Sequence, residues 1–244
     1  MVPSKKYYQF NREERFYCFL FAHTLLSSKD VKLNFIKLCK SKFGINFNSD
    51  ELEVYIEAAI LRDFWSDLGD PNEYSELTHQ NRLEVIKNIL GYCGYQMSII
   101  EENEFFWTNG FNSKLWSPGR WDEKTLEKSG LEKLKSIKWS FNAKPDIMLI
   151  SNQNVLLIEA KVESFEGVDI ERGYHQKKIQ ELISELIPIL IPYYKNYTIK
   201  NTSLELHPAT GISWAEIAEI ISASDVDDFT KNCFADLIER YKLN

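Results

Sequence analysis

Pro145-Asp146-Ile147-Met148-Leu149-Ile150 is followed by Ser151-Asn152-Gln153-Asn154, and then by Val155-Leu156-Leu157-Ile158-Glu159-Ala160-Lys161-Val162. Two apolar runs of strand length, rich in Leu and β-branched residues, flank a turn-forming linker, which predicts a β-hairpin. With Ser151-Asn152-Gln153-Asn154 as the loop, Ile150 lies opposite Val155, and the same register carried outward sets Asp146 opposite Glu159. Directly opposed residues in an antiparallel pair have Cβ atoms about 4.5–5.5 Å apart on one face, where like charges destabilise the sheet. Something must compensate.

A bound divalent cation is the most economical compensation, because carboxylate and backbone oxygens suit Mg²⁺, which keeps several of its waters. Mn²⁺ would serve as a substitute. Side chains alternate along a strand, so Glu159 and Lys161 share a face while Ala160 points away. Asp146 and Glu159 are thus the candidate metal ligands, with the Ala160 carbonyl as a further oxygen, and Lys161 is the candidate cation for a developing oxyanion. Taken singly, each residue has an ordinary explanation as a turn, strand or surface residue. The shared register and the shared face favour a site.

Outward from the hairpin, the first hundred residues read as helices. Asn11 can cap a helix with Glu14 at its N3 position, followed by Phe16, Phe19, Leu20, Ala22, Leu25 and Leu26 at helical spacing. A second helix covers Asp30 to Phe43. Asp50 can cap a third over Glu-Leu-Glu-Val-Tyr-Ile-Glu-Ala-Ala-Ile-Leu-Arg-Asp-Phe-Trp, residues 51–65, and a fourth runs from Ser75 to Leu90 before Gly91 and Gly94. Residues 96–107 or 137–141 supply a strand, and 124–138 a helix. After the hairpin come a helix over 170–190, a strand in Ser-Leu-Glu-Leu-His-Pro from Ser203, a helix capped by Ser213, and a last helix over 225–241.

Composition bounds the classes. The 244 residues carry 29 basic and 36 acidic side chains, a net charge of −7, with 44% hydrophobic residues. The apolar content suffices for a core, and the net charge argues against coating nucleic acid through overall positive charge, while allowing a local basic groove. The segment 114–144 holds eight basic residues (Lys114, Arg120, Lys124, Lys128, Lys133, Lys135, Lys138, Lys144) against four acidic ones. A solvated helix face is its plain explanation. Cys18, Cys39, Cys93 and Cys233 form no CxxC pair, and His23, His79, His175 and His207 show no HxH or HExxH spacing. A reduced, cytoplasmic protein without disulfides or a histidine-built metal site is expected, and no apolar run is long enough to span a bilayer.

Pro145-Asp146, twelve intervening residues and Glu159-Ala160-Lys161 together resemble the PD-(D/E)xK signature of the restriction-endonuclease-like nucleases. The resemblance implies an α/β (α+β) fold: a mixed central sheet flanked by helices, with a core of one helix, three antiparallel strands, a second helix and a fourth strand. On it, residues 1–80 form a helical N-terminal elaboration, 81–213 the nuclease-like core, and 214–244 C-terminal helices packed on that core.

The family usually adds a carboxylate from the first core helix. Glu57 ranks first here, as an acid inside an apolar run that must be buried beside a partner or metal; Glu84 and Glu14 follow, the latter also explained as the cap of its own helix. The helix after the motif often faces the site with a Gln or Lys in relatives. Gln176 is the candidate, with Gln180 one turn on and Lys177 adjacent, while His175 is a weaker candidate for a general base.

The expected function is a Mg²⁺-dependent endonuclease hydrolysing DNA phosphodiester bonds, of restriction or anti-phage defence type, with RNA as the alternative substrate and a homodimer for a two-strand cut. Lys114 to Lys144 would lead the phosphate backbone toward the hairpin, and Trp107, Phe111, Trp116 and Trp121 are either local core or stacking platforms for splayed bases. The rival is a catalytically inactive nuclease-like module that binds nucleic acid or protein, or a repair or RNA-processing nuclease.

Overall fold

A computed structural model describes residues 14–69, 75–103, 105–106, 117–162, 168–169 and 174–242. Asn11, Trp107, Phe111, Lys114 and Trp116 lie outside them. The protein is mixed α/β, with ten α-helices and a five-stranded mixed sheet among the described residues. The chain divides into two compact units: Met1–Ala58, Pro145–Glu166 and Tyr197–Asn244 form one, Ala59–Lys144 and Gly167–Asn196 the other. These units are discontinuous in sequence, unlike the three consecutive regions expected.

The first unit contains the sheet. Its strands are β1 (Glu53–Ile56), β2 (Ile147–Ser151), β3 (Asn154–Ala160), β6 (Thr198–Glu205) and β7 (Ile212–Ser213), in that spatial order. The first two pairings are antiparallel, and β3–β6 and β6–β7 are parallel. Ile147 pairs with Ile158, Ile150 with Val155 and Ser151 with Asn154, the register read from the loop. Asn152 and Gln153, at φ of 51° and 58°, form the turn; two successive positive φ values match the twist of a hairpin.

Four helices accompany the sheet: α1 (Glu14–Ser27), α2 (Lys29–Phe43), α9 (Trp214–Ser222) and α10 (Asp228–Lys242). Their apolar faces and alternate strand residues make one core, including Tyr17, Phe21, Phe35, Ile147, Leu149, Leu156, Ile158, Leu204, Trp214 and Phe234. Ser28 caps α2, and Gly44 closes it in the left-handed region at φ 68°. Ser213 and Glu216 form a complete capping box on α9.

The second unit is helical, built from α3 (Ile60–Asp67), α4 (Glu76–Tyr92), α5 (Ile99–Glu102), α6 (Glu123–Lys128), α7 (Leu134–Asn142) and α8 (Gln176–Leu190), with a two-stranded ladder of β4 (Val168–Asp169) and β5 (Tyr174–His175). Trp65 packs edge-on against Phe141, and Phe105 against Phe106 and Trp121. No helix among the described residues is long and apolar enough to cross a membrane.

Three expectations fail. Residues 51–65 are not one helix: Glu53–Ile56 form β1, and a helix begins only at Ile60. Val54 and Ile56 are β-branched and Tyr55 is aromatic, the composition of a strand, and pairing with β2 outweighs the helical spacing of the apolar residues. Residues 1–80 therefore contribute a strand to the central sheet and are not a purely helical addition. Third, 99–102 and 134–142 are helical rather than strand, so neither candidate segment supplies the strand expected before the hairpin. Trp121 is buried among aromatic neighbours, which accounts for it as core.

Gly211 marks the tightest backbone approach in the sheet unit. At φ 110°, a Cβ there would lie 2.7 Å from the Ser203 carbonyl oxygen. Gly211→Ala should destabilise the protein by about 2 kcal/mol or more, through both the disfavoured φ and the clash. An unchanged denaturation midpoint would contradict this account of the β6–β7 connection.

Candidate active site

The hairpin ladder stops at Ile147 and Ile158, one step short of Asp146 and Glu159. On the other side of β2, Ile147 pairs with Ile56, and the next residue, Glu57, donates its N–H to the Asp146 carbonyl at 3.0 Å. Glu57 and Asp146 thus flank the last β1–β2 pair, and Glu159 lies one step beyond the last β2–β3 pair while still pairing with Ser203 of β6, so the three acids are in register across the sheet. Glu57 sits at φ 49°, a left-handed conformation that costs a residue with a Cβ about 1–2 kcal/mol. It follows a strand and precedes α3, so its placement on a helix is corrected while its proximity to Asp146 is found.

Each acid has a partner. Ala160, beyond the last β2 residue that could accept its N–H, donates instead to Asp146 Oδ2 at 2.8 Å. Lys161 Nζ donates to Glu159 Oε1 at 2.8 Å and lies 3.6 Å from Glu14 Oε1. Glu14, in the first turn of α1, also accepts from the Val162 N–H at 3.2 Å. Glu57 pairs with Arg15 Nε at 2.7 Å. The Lys161 backbone is fixed on both sides: its N–H donates to the Leu204 carbonyl at 2.8 Å, and its own carbonyl accepts from Trp214 Nε1 at 3.0 Å.

Burial sets the electrostatics. Desolvation pushes the Asp146 carboxyl up to about 6, aided by the nearby charges of Glu14 and Glu57 and opposed by the Ala160 bond and Lys161. Glu159 is pushed up to about 7 by desolvation and then by Asp146, against the opposing Lys161. Desolvation pulls the Lys161 ammonium down, but Glu159, Glu14 and Asp146 more than offset it, so its pKa is raised. The Cys18 thiol is raised by burial and by the same carboxylates, which makes it an inert core thiol.

Of the other candidates, Glu84 is exposed on α4. Gln176 opens α8 half-buried, Lys177 is exposed, and Gln180 is buried on the same helix; all three belong to the helical unit, as does His175, which pairs with Val168 in β4–β5. In the basic segment, Lys135 is ion-paired with Glu127 and Lys138 with Glu123, while Lys133 donates to the Cys93 carbonyl at 3.0 Å. Two of its eight basic side chains are thus ion-paired within the segment itself. Arg15, Trp214 and the bond from Glu14 to Val162 went unseen in the sequence; Glu14 was singled out by the Asn-x-x-Glu capping pattern and as the third candidate for the first-helix carboxylate.

Among the described residues, no group of three or more His, Cys, Asp or Glu side chains is arranged to hold a metal ion. Magnesium demands less, since one or two carboxylates, waters and substrate phosphates complete its shell. Asp146 and Glu159 meet that requirement chemically: all-oxygen donors, largely desolvated, with the Asp146 charge among the influences that raise the Glu159 carboxyl. No family model, no curated protein and no solved structure matches this chain.

The raised carboxyls give the metal-free protein a defined pH dependence. A group with a folded pKa above its unfolded value stabilises fully below the unfolded value, here 3.8 for Asp146 and 4.5 for Glu159, and loses that contribution as pH rises through about 6 and about 7. The melting temperature in EDTA should therefore fall between pH 5 and 8, and an Asp146→Asn, Glu159→Gln double variant should flatten the fall. Lys161→Met should cost more at pH 8 than at pH 5, because protonated carboxyls no longer need the ammonium. Equal losses at both pH values would refute the role given to Lys161.

Proposed function

We propose that this protein is a Mg²⁺-dependent endonuclease of PD-(D/E)xK type that hydrolyses DNA phosphodiester bonds, in restriction or anti-phage defence. The observation that carries this is the row of three acids in register across β1, β2 and β3, just past the last antiparallel pairs, with Lys161 bonded to Glu159. The chain order supports the resemblance: helix α1, antiparallel β1, β2 and β3, helix α8, and β6 parallel to β3. In this arrangement Glu14 supplies the carboxylate of the first helix, and β1 the strand before the hairpin.

Asp146 and Glu159, with the Ala160 carbonyl, would hold Mg²⁺, with Mn²⁺ as substitute. The ion, when bound, supplies charge neutralisation at the phosphate and a lowered pKa for attacking water. The chain's own groups do the rest. Lys161 is held with its Nζ between Glu159 and Glu14, where an ammonium stabilises negative charge growing on phosphate oxygens. The Trp214 and Leu204 bonds to its backbone restrict where that Nζ can reach. Preorganised charge of this kind needs no rearrangement at the moment of reaction.

The four cysteines are buried free thiols, in keeping with a reducing, cytoplasmic setting. One hairpin offers one active centre, so a concerted two-strand cut calls for a homodimer.

Supercoiled plasmid, linear duplex, single-stranded DNA and RNA, each incubated with Mg²⁺, Mn²⁺ or EDTA, test the proposal. Wild type should nick or cut DNA only with metal, and Asp146→Ala and Lys161→Ala should each lose at least a hundredfold in rate. Cleavage that persists in EDTA or in Asp146→Ala would refute the mechanism. Inertness toward every substrate with either metal would leave a nuclease-like binding module.

A further inference from the structure

We propose that Arg15 is the phosphate-gripping cation of this site, with Glu57 as the positioning residue that orients it; this rests on the nuclease proposal above. The site gathers four carboxylates, Glu14, Glu57, Asp146 and Glu159, around Lys161 and Arg15. A phosphodiester approaching so acidic a cluster needs a cation that it can touch. The Lys161 side chain is 14% exposed and already engaged by Glu159 and Glu14, whereas that of Arg15 is 77% exposed. Accessibility differs more than fivefold between the two, and only Arg15 stands open to a ligand arriving from solvent.

Its tether is unusual. Arg15 Nε lies 2.7 Å from Glu57 Oε1, and the Glu57 N–H is bonded to the Asp146 carbonyl, so a single residue links the guanidinium to the backbone of the central acid. An exposed ion pair adds little to stability, typically 0–1 kcal/mol, which does not offset the strain of the left-handed Glu57 backbone. Strain at a residue that pairs with Arg15 and bonds to Asp146 fits one held for geometry. A guanidinium carries five N–H donors in a planar fork, and one carboxylate cannot use them all, which leaves the fork able to take two phosphate oxygens at once. Glu14, the preceding residue, holds the Val162 N–H and lies beside Lys161, so the first turn of α1 is anchored at the site and carries Arg15 with it.

The test uses an oligonucleotide spanning a cleavage point mapped on the plasmid, in Mg²⁺, with wild type, Arg15→Ala, Arg15→Lys and Glu57→Gln. Arg15→Ala should raise KM about tenfold with kcat changed less than threefold, and lower the salt slope of binding in Ca²⁺ by about one. Arg15→Lys should recover part of the loss, and Glu57→Gln should shift KM in the same direction by less. Substrates with one neutral methylphosphonate at each successive position add a readout that a structural role would not move: wild type should lose activity at one position near the cut, and Arg15→Ala should lose nothing further there. If wild type cuts while Arg15→Ala matches it in KM, salt slope and methylphosphonate profile, or falls only in kcat, the role of Arg15 is overturned and the nuclease assignment stands. If wild type cuts no substrate in the panel above, both fall together.

Discussion

Three acids in register at the ends of neighbouring strands are a fault in an ordinary sheet. Directly opposed like charges destabilise, and here Asp146 is flanked by Glu57 on one side and Glu159 on the other. Burial worsens the conflict, because desolvation is the largest influence on both Asp146 and Glu159. Much of the surrounding structure answers this constraint. Lys161 neutralises Glu159, the Ala160 N–H engages Asp146, Arg15 engages Glu57, and the start of α1 brings Glu14 to the Val162 N–H. A protein selected for stability alone would place apolar side chains there, since replacing buried ion pairs by well-packed hydrophobic residues is often neutral or favourable. Retaining the charges makes sense when they act on something else.

The core explains how the conflict is tolerated. β2 is buried along its whole length, and β3 nearly so, and the Trp214 indole that fixes the Lys161 backbone belongs to the same apolar cluster as Leu156, Ile158 and Leu204. The acids therefore stand at the rim of a rigid platform instead of on a loop that could drift apart to relieve repulsion. That rigidity holds the carboxyls in desolvated positions beside one another, where their pKa values are raised.

How much of this was legible in the sequence depends on separation along the chain. The hairpin was, because a short loop fixes its register and the rest follows by counting: Ile150 opposite Val155 implies Ile147 opposite Ile158. Ser213 was legible as a local cap for the same reason. Glu57 was found as a suspect but in the wrong element, since an apolar run containing Val54, Ile56 and Ile60 fits either period and only pairing with β2, ninety residues away, decides between them. Glu14 was ranked only third as a site carboxylate because its local capping pattern explained it already, while its contact with Val162 spans 148 residues. The helical unit escaped as a unit for a related reason: it is assembled from two stretches that the sheet strands interrupt.

Net charge is the poorest guide of all. A total of −7 averages over different surfaces, and in the locally basic stretch from Lys114 to Lys144 two of the eight bases, Lys135 and Lys138, are paired with acids of the same stretch, Glu127 and Glu123. At the candidate site the arithmetic runs the other way: desolvation raises Asp146 and Glu159 toward neutrality, so the cluster carries less negative charge at neutral pH than its four carboxyls suggest. Positive charge near these carboxyls opposes their protonation, as Lys161 already does for both. Arg15 is exposed while Lys161 is enclosed, so the two cations of the cluster differ in what they can reach: solvent for the outer one, the surrounding carboxylates for the inner one.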